Sequence, residues 1–323
     1  MPKAYPSNLT QAQYELLSDM IPEAKPGGRP RSVEMWDVFN AIFYVLVEGV
    51  QWRALPGDFP VWQTVYSYFR QWRQDGAWLQ IHDRLREWTR IEQERHRSPS
   101  EAVVDSQSVK SAAMVSQAVG FDANKKIKGR KRFMTVDTLG LVLRVWVTAA
   151  SMPEREGGKR VLKQVKQMGQ GVSRLHTIWT DQGFDGEPFM IWVMDFCRWI
   201  VQVVLRPEQT KGFVLLKKRW VVERTFGWLM GCRRLVRDAR VIASNLRDIY
   251  LPGYDPYHGE AIGIDFDPSE LFKHPLKGKG DNGSPLLIGE GLGERSKCNC
   301  RESANRYNYE LEITNYLANL HDN

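Results

Sequence analysis

The apolar residues of this chain change period about a third of the way along, and that change restricts the architecture more than any single motif. Up to about Glu94 they recur every three or four residues. Thr10 is placed to cap a first helix running to Ile21, with Ala12, Leu16, Leu17 and Met20 along it, and Ile21-Pro22 ends it. Ser32 precedes Val33 to Val50, where Trp36, Phe39, Ile42, Phe43, Leu46 and Val47 form one apolar face. A Pro/Gly turn at 55–60 leads into Trp62 to Trp72, and Gly76 separates that helix from a last one, about Trp78 to Glu94. Residues 1–97 therefore read as an all-helical, helix-turn-helix-like DNA-binding module, whose Arg53, Arg70, Arg73 and Gly27-Gly28-Arg29-Pro30-Arg31 loop suit a DNA backbone, although the same aromatics fit a core and the same arginines a solvated surface.

After Arg97-Ser98-Pro99-Ser100 the pattern becomes that of strands. Ala102-Val103-Val104 is a short β-like run ending in Asp105, and a polar basic loop follows it. Phe133 to Asp137 and Leu141 to Ala149 flank the turn Thr138-Leu139-Gly140 as an antiparallel pair. Helical spacing returns at about 158–168, His176 to Thr180 is a strand ending in Asp181, Glu187 to Arg198 is helical, Trp199 to Leu205 extended, and Arg219 to Leu235 helical. An order β, β, β, α, β, α, β, α predicts an α/β fold with a mixed sheet and flanking helices over residues 98–240.

Charge and composition shift once more near the end. Residues 1–244 hold 37 Lys/Arg against 25 Asp/Glu, residues 245–323 hold 8 against 13, and all twelve Trp lie at or before Trp228. A basic body suits a polyanionic partner, whose phosphates release counterions on binding. Residues 241–323 read as an atypical acidic tail, of the kind a fusion or frameshift produces. Its Gly278-Lys279-Gly280-Asp281-Asn282-Gly283 follows no predicted strand and so is not a nucleotide loop, and Cys298-Asn299-Cys300 is too little for a metal. The four cysteines form no CxxC pair, and no run of about 18 uncharged apolar residues is present. The expectation is a reduced, cytoplasmic protein with no membrane partner.

Three acids stand out. Asp105 and Asp181 come where apolar strands stop, at the sheet edge where α/β sites collect. Glu223 interrupts an apolar and aromatic helix, Trp220 to Leu229. Converging carboxylates suit Mg²⁺, and a pair of ions can activate a hydroxyl and stabilise a leaving oxygen in phosphoryl transfer. Taken alone, each acid also fits a structural role: Asp105 and Asp181 as turn formers or caps, Glu223 as an ion-pair partner of Arg219 or Lys218. Asp122, Asp137 and Asp185 are neighbouring acids that spacing does not set apart.

The blocks Tyr5-Pro6-Ser7-Asn8-Leu9-Thr10, Gly28-Arg29-Pro30-Arg31, Gly49-Val50-Gln51-Trp52-Arg53-Ala54-Leu55-Pro56, Val104-Asp105-Ser106, Trp179-Thr180-Asp181-Gln182-Gly183-Phe184 and Arg219-Trp220-Val221-Val222-Glu223-Arg224-Thr225-Phe226-Gly227-Trp228 occur in that order. In them the chain resembles the DDE transposases of bacterial insertion sequences, specifically the insertion-sequence-five-like group, from about Tyr5 to Asp238. The resemblance implies an RNase H-like fold in which Asp105, Asp181 and Glu223 hold two Mg²⁺ ions, for which Mn²⁺ can substitute. It implies a transposase that cleaves DNA and transfers strands at the ends of an insertion sequence. Its partners would be double-stranded DNA, as terminal inverted repeats and target, and a second copy of itself on that DNA, which would make it a nucleoid-associated protein of the bacterial cytoplasm. The alternatives are a catalytically inactive DNA-binding derivative, an enzyme impaired by its atypical C-terminus, and an RNase H-like host nuclease.

Arg29, Arg31, Lys125, Lys126, Lys128, Arg130, Lys131, Arg132, Arg219, Arg224, Arg233 and Arg234 are the expected DNA-binding residues. The chain departs from the family pattern at two positions. Phe133 replaces a usual histidine, and Met230 stands where the wider signature has a lysine, a charge that Arg233 or Arg234 would then supply.

Overall fold

A computed structural model describes residues 5–24, 27, 30–113, 115, 118–205 and 218–236 of the chain. The N-terminal region is helical, with α1 (Gln11–Ser18), α2 (Met35–Glu48), α3 (Trp62–Gln74) and α4 (Ala77–Glu92). Thr10 caps α1 reciprocally: its hydroxyl accepts from the Gln13 N–H, and the Gln13 amide oxygen accepts from the Thr10 N–H at 2.6 Å. Such a capping box is worth about 1 kcal/mol. α2 is buried from Val38 to Phe43, as expected of the central helix of a bundle. Its aromatic neighbours interlock, with Phe39 stacked on Trp72 at 4.8 Å and edge-on to Trp78 at 5.5 Å.

The strands are β1 (Glu101–Lys110), β2 (Gly120–Asp122), β3 (Ile127–Asp137), β4 (Val142–Ala149), β5 (Thr177–Thr180) and β6 (Ile200–Val203). β1, β3 and β4 form an antiparallel meander, while β5 runs parallel to β1 and β6 parallel to β5. The short β2 extends the β4 edge of β3. The crossovers are α5 (Glu154–Gln167), between β4 and β5, and α6 (Glu187–Trp192), which continues as a π-helical turn through Cys197 before β6. α7 (Arg219–Leu229) and α8 (Arg233–Val236) complete the described chain.

Alternation along the strands sorts the side chains onto two faces. Ala102, Val104, Phe133, Leu143 and Ile178 pack with Val161, Leu162 and Val165 of α5 and Phe189 of α6. Gly157 makes this approach possible, since a Cβ there would lie 2.1 Å from the Phe133 ring. Val103, Met134, Val136, Val142, Val145 and Val147 turn to the opposite face, where α1–α4, α7 and α8 share one continuous core with them. A register shift between Thr135 and Val136 opposite β4 lets Val142 and Val145 point the same way.

The helices read as a module from the sequence thus close their core on the sheet. Polar ties reinforce the seam: Arg144 of β4 makes a bidentate pair with Asp83 of α4 at 3.1 and 3.0 Å, and Arg90 of α4 pairs with the buried Asp137. The Ser-Pro linker is held rather than loose, because the buried Ser98 accepts from the Arg174 N–H and Ser100 from the His176 N–H.

Two strands are longer than apolar patterning predicts. β1 continues five residues past Asp105, and β3 begins at Ile127, inside the stretch read as a basic loop. The tail at 241–323, with its glycine-rich run and Cys298-Asn299-Cys300, lies outside the described residues. Among the described residues, no helix is long and apolar enough to cross a membrane.

Candidate active site

Asp105 lies within β1 rather than at its end, yet it still sits at the edge of the parallel pairing. β1 and β5 pair from Glu101↔Thr177 to Val103↔Trp179, and the same register carried on two residues sets Asp105 level with Asp181. Beyond Val103, β1 is bonded only to β3, so the two aspartates share the mouth that opens where β5 stops. Glu223 comes from α7, which packs across β1 and β3 on the helical face.

The three acids meet around one guanidinium. Arg219 Nη2 lies 3.6 Å from Asp105 Oδ2, 3.8 Å from Asp181 Oδ2 and 3.3 Å from Glu223 Oε1. Any two of these oxygens are therefore no farther apart than two such spokes laid end to end. Exposure rises outward, from 13% for the Asp105 side chain through 30% for Asp181 to 50% for Glu223, so the cluster has a dry floor and a wet rim. Burial and the neighbouring Asp181 charge push the Asp105 carboxyl up to about 6, against smaller opposing effects of the Ser106 N–H, Arg219 and Lys125. Asp181 also does what an Asp before a helical turn does, accepting the Gly183 N–H at 2.9 Å. Arg219 and Glu223, one turn apart, do form the ion pair that spacing permits. The structural and functional readings of these residues are compatible.

As the side chains stand, no three His, Cys, Asp or Glu among the described residues close tightly enough to ligate a metal, because Arg219 holds the space between these acids. The donor set nonetheless fits a hard divalent cation: three carboxylates from three segments, already gathered about a positive charge.

The basic residues divide. Lys125, Lys126 and Lys128 are exposed, and Lys125 reaches the rim, its Nζ donating to the Ser106 carbonyl beside Asp105. Arg130, Lys131 and Arg132 are buried in β3. Lys131 Nζ is shared by the Met152 carbonyl, Glu154 and Asp122, and Arg132 donates to the Leu235 carbonyl. Of the stretch expected to grip phosphates, the three lysines before Arg130 therefore face solvent, while Arg130, Lys131 and Arg132 lie inside a strand, with Lys131 neutralised by Asp122 and Glu154.

Arg224 is sandwiched between Trp220 and Trp228 and donates to the Leu139 carbonyl. Arg31 donates to the Pro22 carbonyl and lies over Tyr68. Arg233 pairs with Glu48, and Arg234 donates to the Val50 carbonyl, so both tie α8 to the end of α2. Met230 sets its sulfur 3.9 Å from Gln107 Nε2. Phe133, where the family pattern has histidine, is fully buried beneath Gly157. Arg29 lies outside the described residues.

Asp122, Asp137 and Asp185 sort themselves by contact. Asp122 accepts from the Ser108 hydroxyl and the Asn124 and Lys125 N–H groups, Asp137 closes the β3–β4 turn, and Asp185 is exposed after Phe184. Sequence reasoning missed Glu154, whose Cγ would lie 3.2 Å from a Cβ on Gly183 in the Asp181 turn. Its one signal was an acid in the first turn of α5.

A five-strand order β4-β3-β1-β5-β6, with the acids at the mouth of its parallel half, defines an RNase H-like domain of the DDE kind. Comparison with known proteins makes this specific. Residues 9–82 match the family model described as a putative transposase of the IS4/5 family, and residues 96–251 match the transposase DDE domain. The chain belongs to the DDE transposases of the IS4/5 type. The second match runs past Asp238, where the resemblance read from the sequence stops. A solved piggyBac transposase synaptic complex with hairpin DNA is similar at 13% identity and a TM-score of 0.28. The match covers 68% of this chain and 50% of that one, so this chain spans half the length of that relative. No curated protein sequence matches the chain significantly.

Proposed function

We propose that this protein is a transposase that cleaves DNA at the ends of an insertion sequence and joins the freed ends to target DNA. The observation that carries this reading is the meeting of Asp105, Asp181 and Glu223 around a single positive charge. Asp105 and Asp181 would hold divalent ions from the sheet and Glu223 from the helix. Bound there, Mg²⁺ or Mn²⁺ supplies activation of a water or 3′-hydroxyl and stabilisation of the leaving oxygen.

The remaining roles belong to the protein. The dry floor at Asp105 excludes bulk water from the reacting phosphate, and the Gly183 N–H holds the Asp181 carboxylate in one orientation. The exposed Lys125, Lys126 and Lys128 approach the DNA backbone beside the acids, where each phosphate contact adds affinity without reading sequence. Arg31, Arg224, Arg233 and Arg234 position helices in this reading and touch DNA only with what their internal contacts leave free. Two protomers, one for each end, complete the assembly.

The test is incubation of the purified protein with Mg²⁺ and linear DNA carrying the sequences that flank its gene. Nicked and joined products are expected from the natural protein and none from Asp181→Ala. Identical product patterns from the two proteins would refute the assignment, and cleavage without joining would point to a nuclease.

A further inference from the structure

Arg219 is placed as a competitor for the acids that it neutralises. Its three distances of 3.3, 3.6 and 3.8 Å exceed the roughly 2.7–2.9 Å of a charge-assisted hydrogen bond, so the guanidinium is shared among three carboxylates and locked to none. Its Nε is buried and has no hydrogen-bond partner among the described residues. The charged end is thus retained by loose Coulomb attraction to the acids, and a group so held is readily displaced.

A divalent ion drawn to the same oxygens brings twice the charge and repels the guanidinium from close range. Because Arg219 is anchored one helical turn before Glu223, expulsion cannot carry it away; it can only swing toward the rim. There the acids grow more exposed, and Lys125 already reaches in from β3's side of the site. A planar guanidinium released at that rim is suited to a phosphate, which it can bind in bidentate fashion.

We propose that Arg219 is a tethered counter-cation that competes with divalent ions for Asp105, Asp181 and Glu223, so that metal binding and DNA-backbone binding reinforce each other through this side chain. The proposal rests on reading the three acids as the metal-holding set. Coupling of this kind is reciprocal: a phosphate that draws Arg219 outward raises metal affinity by the factor by which metal raises affinity for the phosphate.

The test is calorimetric titration of the full chain with Mn²⁺, alone and with duplex DNA, for the natural protein, Arg219→Gln and Asp181→Ala. Arg219→Gln is expected to bind Mn²⁺ about tenfold more tightly without DNA, the scale set by releasing three partly exposed ion pairs. DNA is expected to tighten Mn²⁺ binding to the natural protein and to leave Arg219→Gln unchanged. Arg219→Lys, which keeps the charge on a non-planar head, provides a second reading should the glutamine variant fold poorly, and is expected to bind Mn²⁺ as weakly as the natural protein.

If Mn²⁺ binding needs Asp181 but is equal or weaker in a folded Arg219→Gln, or tighter in Arg219→Lys, the competition is refuted while the metal-holding acids stand. If Mn²⁺ binds neither the natural protein nor Arg219→Gln, or binds them and Asp181→Ala alike, both readings fall.

Discussion

Replacing Arg90 with methionine tests whether helices and sheet are one folding unit. Arg90 of α4 pairs with Asp137 at the end of β3, and the two side chains are 5% and 0% exposed. Arg90 Nε also donates to the His96 carbonyl at 2.7 Å, while Asp137 Oδ1 accepts from the Leu139 and Leu141 N–H groups. Methionine keeps the volume and leaves the Asp137 carboxylate buried without its cation. Breaking a buried pair from one side costs about 3–5 kcal/mol. The two backbone bonds remaining on Asp137 place the expected destabilisation near the lower end, about 3 kcal/mol. For a structure of this size that lowers Tm by roughly 6–12 °C. The assay is thermal unfolding followed by both far-ultraviolet circular dichroism and tryptophan fluorescence. One transition shifted equally in both signals is expected, since Trp72 of α3 and Trp78 and Trp88 of α4 share a core with β3 and β4. A shift below about 1 kcal/mol, or an early transition of the tryptophan-rich helices while the sheet persists, would refute the single-core argument.

Further outcomes follow from other contacts. Asp105→Asn should raise Tm at pH 8 in chelator: its carboxyl titrates at about 6 in the fold and near 3.8 unfolded, so its charge costs stability above pH 6, and the gap to the natural protein should close as pH falls toward 4. Asp122 shows the opposite sign. Burial pushes its carboxyl up, but the Ser108 hydroxyl, the Lys125 N–H and the Lys131 ammonium outweigh this and hold it at about 2. It therefore contributes about 2 kcal/mol above pH 4, lost as pH falls from 4 toward 2, and Asp122→Asn should flatten acid unfolding curves over that window. Gly157→Ala should cost about 1–3 kcal/mol in urea unfolding, because the added methyl meets the Phe133 ring. Lys126→Gln with Lys128→Gln should weaken binding to any duplex and make the salt dependence of binding shallower by about one unit of slope for each phosphate left unneutralised, with Tm unchanged.

What could be read from the chain alone was what apolar spacing encodes. The capped start of α1, the buried stripe of α2 and the β3–β4 turn all show in the pattern of hydrophobic residues and glycines. Asp105 and Asp181 were visible because apolar runs end beside them, and Glu223 because it breaks one. The remainder of β1 and the first half of β3 were invisible for the same physical reason. Ser106, Gln107 and Ser108 in one and Lys128 to Arg132 in the other carry no alternation of apolar and polar residues. Arg130, Lys131 and Arg132 are buried all the same, and the partners of Lys131 lie at 122, 152 and 154. Burial offset by distant ion pairs leaves no local signature. Nor did spacing indicate that Arg219 would stand between three acids, two of them far away in the chain.

The core shared by α1–α4, the sheet and α7 bears on how such a gene can change. Glu223 rides on a helix whose inner surface rests partly on strands and partly on residues encoded near the start of the reading frame. Recombination that kept the sheet but exchanged the opening hundred codons would strip that helix of its bedding and misplace the third acid. Under the proposed function, front and back of the frame would therefore act as a pair, since a change at the 5′ end would disturb the bed of the helix that carries Glu223.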